Sequence, residues 1–149
     1  MSKAFEVVTE IPVRYAETDK MGIVYHANYL IYCEVARTHY LEALGFPYSE
    51  MEEAGYLSPV LDVNLKYGLP CTFGDTVKVI TSVTKLTPVR TEYSYKIFLK
   101  DDDPETAKPR VTGSSTHCLV TADTFKAVNQ KKVFPKLYEA YLKAMGDGE

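Results

Sequence analysis

A surplus of positive charge is missing from this sequence: 17 lysines and arginines stand against 20 aspartates and glutamates, a formal net charge of −3. General nucleic-acid binding needs a basic face that displaces counterions, so the balance argues against it, although an anionic ligand can still be held locally. Cysteine is scarce as well. Cys33, Cys71 and Cys118 are odd in number, sit inside apolar or strand-like runs and show neither metal nor disulfide spacing. They read as reduced core residues of a cytosolic protein. No basic segment followed by an apolar run opens the chain, and no apolar stretch approaches membrane-spanning length. The expectation is a soluble, cytoplasmic protein without membrane insertion. Internal repeats and low-complexity segments are absent too, and no ligand-spaced cluster calls for a metal or cofactor.

What the chain does have is apolar content, 46% over 149 residues, enough to bury a core in one domain and too short for a second of ordinary size. A single domain over residues 1–149 is expected. The stretch from Arg14 to Gly45 organises it. A strand end leads into a loop carrying Asp19, Gly22 and His26, and then into one long apolar helix. Tyr29, Leu30, Ile31, Tyr32, Cys33, Val35, Ala36, Tyr40, Leu41, Ala43 and Leu44 cover most of its circumference, leaving Glu34, Arg37, Thr38 and Glu42 as a narrow polar stripe. A helix apolar almost all round is a buried one. Gly45 and Pro47 end it.

Before that loop, Phe5 to Tyr15 suits a strand with a bulge or edge at Pro12. Ser49 and Glu52 have capping-box spacing for a short second helix closed by Gly55. Beyond Leu57 the period becomes twofold. Leu61, Val63, Leu65 and Tyr67 mark a half-buried strand; Val77, Val79, Thr81 and Val83 a second; Thr91, Tyr93, Tyr95, Ile97 and Leu99 a third. A last long strand runs from Arg110 to Ala122, where Gly113, Ser114 and Ser115 permit close approach of another backbone or a ligand. Asp101 to Glu105 is a solvated hairpin tip, and Pro135 begins a C-terminal helix through Met145. Four strands in meander-like succession would then curl round one helix in an α+β domain, leaving a sheet edge open for a homodimer.

Asp19 lies a few residues ahead of the helix, where unsatisfied N–H groups and a positive macrodipole can polarise a carbonyl oxygen and hold the oxyanion formed on attack. A nearby carboxylate can attack the carbonyl or deprotonate a water that does. Gly22 allows a tight return of the chain, and Ile23, Val24 and Tyr25 would keep such a site dry. A loop Asp before a helix is more commonly a cap or turn former, and His26 by itself is more commonly a structural histidine. His39 and His117 read as structural; Glu34 is either exposed or faces a cavity.

The run VRYAETDKMGIVYHANYLIYCEVAR, with Thr18-Asp19, Gly22 to His26 and Asn28-Tyr29, resembles the signature of the hot-dog-fold acyl-CoA thioesterases, in the 4-hydroxybenzoyl-CoA thioesterase-like branch that includes the Tol-Pal-associated enzymes. A second block, Val63 to Asp75 with Tyr67, Pro70, Gly74 and Asp75, extends the likeness. The resemblance implies a sheet of about five strands wrapped about a central helix, in a homodimer or homotetramer. Asp19 matches the catalytic carboxylate and His26 the oxyanion-donor position, with Tyr25 and Asn28 completing the block. An acyl-CoA would lie in a cleft between subunits, with Arg90, and less so Lys85, near its phosphates. A hot-dog hydratase or dehydratase, and a non-catalytic acyl-CoA-binding protein, are the rival readings.

Overall fold

The structure is a computed structural model and describes residues 4–146. In chain order the elements are β1 (Val7–Pro12), a 3₁₀ turn (Tyr15–Glu17), α1 (Asn28–Leu44), α2 (Tyr48–Glu53), β2 (Tyr56–Leu57), β3 (Val60–Tyr67), β4 (Thr76–Thr87), β5 (Arg90–Leu99), β6 (Val111–His117), β7 (Val120–Thr121), α3 (Gln130–Val133) and α4 (Pro135–Ala144). Five strands form one antiparallel sheet in the order β1-β4-β5-β6-β3, and β2 pairs with β7 separately. The expected sheet around a long helix is therefore present, but only β4, β5 and β6 follow one another as a meander. β3 lies on the far edge beside β6.

The pairing of β3 with β6 depends on a residue without a side chain. Gly113 on β6 stands opposite Leu65 of β3. A Cβ built there would collide with the Asn64 carbonyl oxygen and sit 2.6 Å from Leu65 Cδ2. Close backbone approach, expected from this small-residue run, is thus an approach of β3.

Alternation sets the core. Val77, Val79 and Val83 of β4, Tyr93, Tyr95 and Ile97 of β5 and Val111 of β6 bury one sheet face. Against it α1 packs Tyr29, Tyr32, Cys33, Ala36, Tyr40 and Leu41. Gly45 ends α1 with φ +93, and the Phe46 N–H then reaches the Leu41 carbonyl at 2.9 Å. The three cysteines are free thiols, two of them buried.

Several expectations are corrected. The helix is not buried all round: Leu30, Ile31 and Val35 remain 39–45% exposed, because one sheet covers only one flank. β3 is exposed nearly throughout rather than half-buried, since its outer edge pairs with nothing among the described residues. Val35 and Val60 line one hollow, so the bare helix face and the bare strand edge adjoin. The first strand stops at Pro12, where the chain turns into the 3₁₀ segment. Ser49 does not cap α2, whose N-cap is Pro47 and carries no side-chain bond. The last long strand breaks after His117, and α3 forms unforeseen, its start capped by the Asn129 side chain accepting from the Lys132 N–H.

Candidate active site

The segment between the 3₁₀ turn and α1 folds back on itself. The Asp19 N–H donates to the Ile23 carbonyl and the Gly22 N–H to the Asp19 carbonyl, both at 2.9 Å, with Gly22 at φ +80. One carboxylate oxygen of Asp19 accepts the Met21 N–H at 2.8 Å. Asp19 is therefore the turn former that the bland reading proposed, but with a single oxygen. The other has no protein partner among the described residues, and Ala27, the N-cap of α1, makes no side-chain cap. Asn28 and Leu30 donate their N–H groups to Tyr25 and Ala27. The N–H groups of His26, just ahead of the N-cap, and of Ala27, the N-cap itself, donate to nothing among the described residues.

Asp19 and His26 open on a hollow of about 190 Å³, together with Tyr29, Tyr67, Leu69 and Arg110. The Tyr67 hydroxyl donates to the His26 carbonyl at 3.1 Å, and the two rings stand edge to face at 6.2 Å. Arg110 donates to the Pro70 carbonyl at 2.9 Å and is the permanent cation of the lining. Nothing in the sequence pointed to Arg110, because strand pairing brings it in from β6's leading end, far along the chain.

The remaining expected residues are placed as follows. Tyr25 is 45% exposed and outside the lining, so it does not dry the site as expected. Its N–H donates to the Glu17 carbonyl at 2.9 Å. Asn28 also holds the Glu17 carbonyl, through Nδ2 at 2.8 Å, and Gly22 supplies the turn. Lys85 and Arg90 are exposed at the β4–β5 hairpin, the far end of a 12-residue strand from Asp75, and do not line this hollow within one chain. Sequence reasoning missed Glu17. It is buried, and its carboxylate accepts the Tyr32 hydroxyl at 2.8 Å and the Arg14 Nε–H at 2.9 Å.

A larger hollow, about 660 Å³, lies along the second half of α1 and reaches Ser58 and Val60 at the start of β3. Glu34, exposed on its helix, faces this cavity, as does Arg37. His39 and His117, which read as structural, also line this hollow and are each held by a hydroxyl. His39 Nδ1 lies 2.7 Å from Thr9 Oγ1. His117 Nε2 lies 2.7 Å from Ser115 Oγ, which meets the Tyr95 hydroxyl, itself accepting from Arg37 at 3.1 Å.

Burial, and then the Arg37 charge, push the His117 pKa down to about 4. An unfolded histidine titrates near 6.5, so below that pH the unfolded chain binds a proton the folded chain refuses. Stability is complete above about pH 6.5, falls by about 1.4 kcal/mol per pH unit from this group, and levels off near pH 4. Denaturant unfolding at pH 7 and pH 5 is expected to show a loss about 2 kcal/mol larger in the wild type than in His117→Gln.

The profile of the thioesterase-like superfamily matches residues 13–140. A Bacillus subtilis protein named "Putative acyl-CoA thioesterase YneP" is 44% identical over 135 residues, 91% of this chain and 94% of that protein. The solved structure of a DHNA-CoA thioesterase from Staphylococcus aureus superposes with TM-score 0.86 at 42% identity, covering 93% of this chain and 90% of that one. Acyl-CoA thioesterase YbgC of Helicobacter pylori is 28% identical over 86% of this chain and 96% of its own.

Proposed function

This chain belongs to the thioesterase-like superfamily, and on that footing we propose that it cleaves an acyl-CoA thioester to free acid and CoA, with Asp19 driving attack and the His26 amide holding the oxyanion. The protein is accordingly an acyl-CoA thioesterase of the hot-dog fold. One observation carries the residue roles: a carboxylate with one oxygen free and an unengaged helix-start amide open on the same hollow.

In the water route, Asp19 takes a proton as the water oxygen bonds to the thioester carbon, and the carbonyl oxygen becomes an oxyanion held by the His26 N–H. Collapse breaks the C–S bond, and the CoA thiolate recovers the proton from Asp19. In the direct route an Asp19 oxygen bonds to the thioester carbon and the C–S bond breaks to expel the CoA thiolate, leaving an acyl anhydride; water then opens the anhydride to the free acid and the Asp19 carboxylate, and its released proton goes to the thiolate. Labelled oxygen in the solvent distinguishes the two: single-turnover label enters Asp19 only through the anhydride.

Size argues that one chain is not the whole site. The Asp19 hollow, about 190 Å³, is smaller than the roughly 300–1,000 Å³ of small-molecule sites, whereas the second hollow, about 660 Å³, lies within that range. β3 joins them, with Val60 lining the larger and Tyr67 the smaller. Antiparallel pairing of two bare β3 edges about a twofold axis sets the larger hollow of one chain beside Asp19 of the other. The acyl group would then occupy the partner's hollow. It would also cover Leu30, Ile31 and Val35. Val63→Lys, placing a charge on the open edge, is expected to shift sedimentation from dimer or tetramer toward monomer and to reduce thiol release in step.

The narrower placement, in the branch of 4-hydroxybenzoyl-CoA thioesterase-like enzymes that includes the Tol-Pal-associated ones, is supported by the Thr18-Asp19 to Asn28-Tyr29 block alone. The experiment for the function is thiol release from a panel of aliphatic and aromatic acyl-CoAs. Hydration of an enoyl-CoA with no thiol released from any member would overturn it, as would tight binding without turnover.

A further inference from the structure

We infer that Glu17 is a positioning residue that holds the Asp19 carboxylate and the start of α1 at a fixed separation. The inference rests on the proposed thioesterase reading, in which those two groups act on one carbon. Glu17 stands two residues before Asp19 and is 5% exposed. Its side chain and main chain together tie four other residues. The carboxylate accepts the Arg14 N–H at 2.9 Å, Arg14 Nε–H at 2.9 Å and the Tyr32 hydroxyl at 2.8 Å. The carbonyl accepts the Tyr25 N–H at 2.9 Å and Asn28 Nδ2 at 2.8 Å. Asn28 is the first residue of α1 and Tyr32 lies one turn further on. The loop therefore leaves Glu17, carries Asp19, and is brought back to Glu17 on both sides of the His26 amide.

The rest of the loop is built to depend on this clasp. Thr18 and Val24 form an isolated bridge, the Asp19 N–H binds the Ile23 carbonyl, and Val24 donates to the Cys71 carbonyl at 2.9 Å. Among the described residues, only the bonds of Glu17 join the start of that segment to α1 itself. A buried anion so near an oxyanion site would oppose catalysis if left uncompensated. The Arg14 guanidinium, 2.9 Å away and largely solvated, neutralises it. Three charge-assisted donors hold the Glu17 pKa below its usual range despite the opposing effect of burial, so the clasp is anionic at neutral pH. Misplacing a reacting group by about 1 Å can cost about 100-fold in rate, which is the loss such a clasp prevents.

Glu17→Gln keeps the shape and removes the charge; Tyr32→Phe removes one donor and leaves a ring suited to burial. The expected result is a kcat lowered about 10- to 100-fold in Glu17→Gln and several-fold in Tyr32→Phe, with KM changed less than twofold and partial recovery in Glu17→Asp. Amide exchange at Gly22, Val24 and Tyr25 should accelerate in the same variants while the β4 and β5 amides stay protected. A purely structural role would instead lower the amount of folded enzyme and leave the kcat of the folded fraction intact. Folded Glu17→Gln or Tyr32→Phe with wild-type kcat and unchanged loop exchange overturns the inference, and if Glu17→Gln does not fold, Tyr32→Phe decides. Should the wild type release thiol from no acyl-CoA, the thioesterase reading has failed, and the exchange measurement still reports on the clasp.

Discussion

Replacing Asp19 with asparagine is expected to lower kcat/KM for acyl-CoA hydrolysis by roughly 10²- to 10⁴-fold, the range associated with a positioned general base, and more if the carboxylate is the nucleophile. The substitution is suited to the question because the amide oxygen can still accept the Met21 N–H that Asp19 now receives at 2.8 Å. The turn, with Gly22 at φ +80, should therefore persist, and thermal unfolding should change little. What disappears is the charge and the basic oxygen beside the helix-start amide. The oxyanion donor remains in Asp19→Asn, so residual hydrolysis above the uncatalysed rate is expected, not complete loss. Steady-state thiol release with the best substrate of the panel measures it. Turnover within twofold of wild type would remove Asp19 from the chemistry.

The largest structural effect is expected at Gly113. A valine there would drive its Cβ into the Asn64 carbonyl and its methyls toward Leu65 Cδ2, 2.6 Å from the Cβ position, both on β3. Neither a backbone carbonyl nor a paired strand can step aside cheaply. The strand must slide or detach, at about 1–3 kcal/mol for overpacking and more if β3–β6 hydrogen bonds are lost. Gly22→Ala is the informative control. Its Cβ would meet nothing within 4 Å, so only the left-handed backbone opposes it, at about 1–2 kcal/mol. Urea unfolding should separate the two. Because β3 carries the proposed contact between copies, Gly113→Val should also dissociate the assembly and lose activity, although Asp19 is untouched.

The course of the chain was readable where one physical signal acted alone. Val77, Val79, Thr81 and Val83 alternate because a single face of β4 is covered, and their burial follows directly. Gly45 marked the helix end because few other residues accept φ +93. Expectation failed where burial depended on something distant. The pattern makes α1 buried almost all round and β3 half-buried, whereas Leu30, Ile31, Val35 and Val63 face outward. Hydrophobicity reports that a surface will be covered, not by which molecule. The site divides in the same way. Asp19, Gly22 and His26 are local in sequence and were found together. Arg110 and Tyr67 arrive through strand pairing, and nothing in the sequence marks Glu17, because a carboxylate beside a loop is normally a solvated one. Its burial depends on Tyr32, fifteen residues on.

The two hollows at opposite ends of β3 carry a genetic consequence. If each Asp19 works against the neighbouring chain's cavity, a chain disabled at Asp19 and a chain with an obstructed cavity are each severely impaired alone. A heterodimer of the two unites one sound carboxylate with one sound cavity, so co-expressed alleles would complement each other to a fraction of normal turnover.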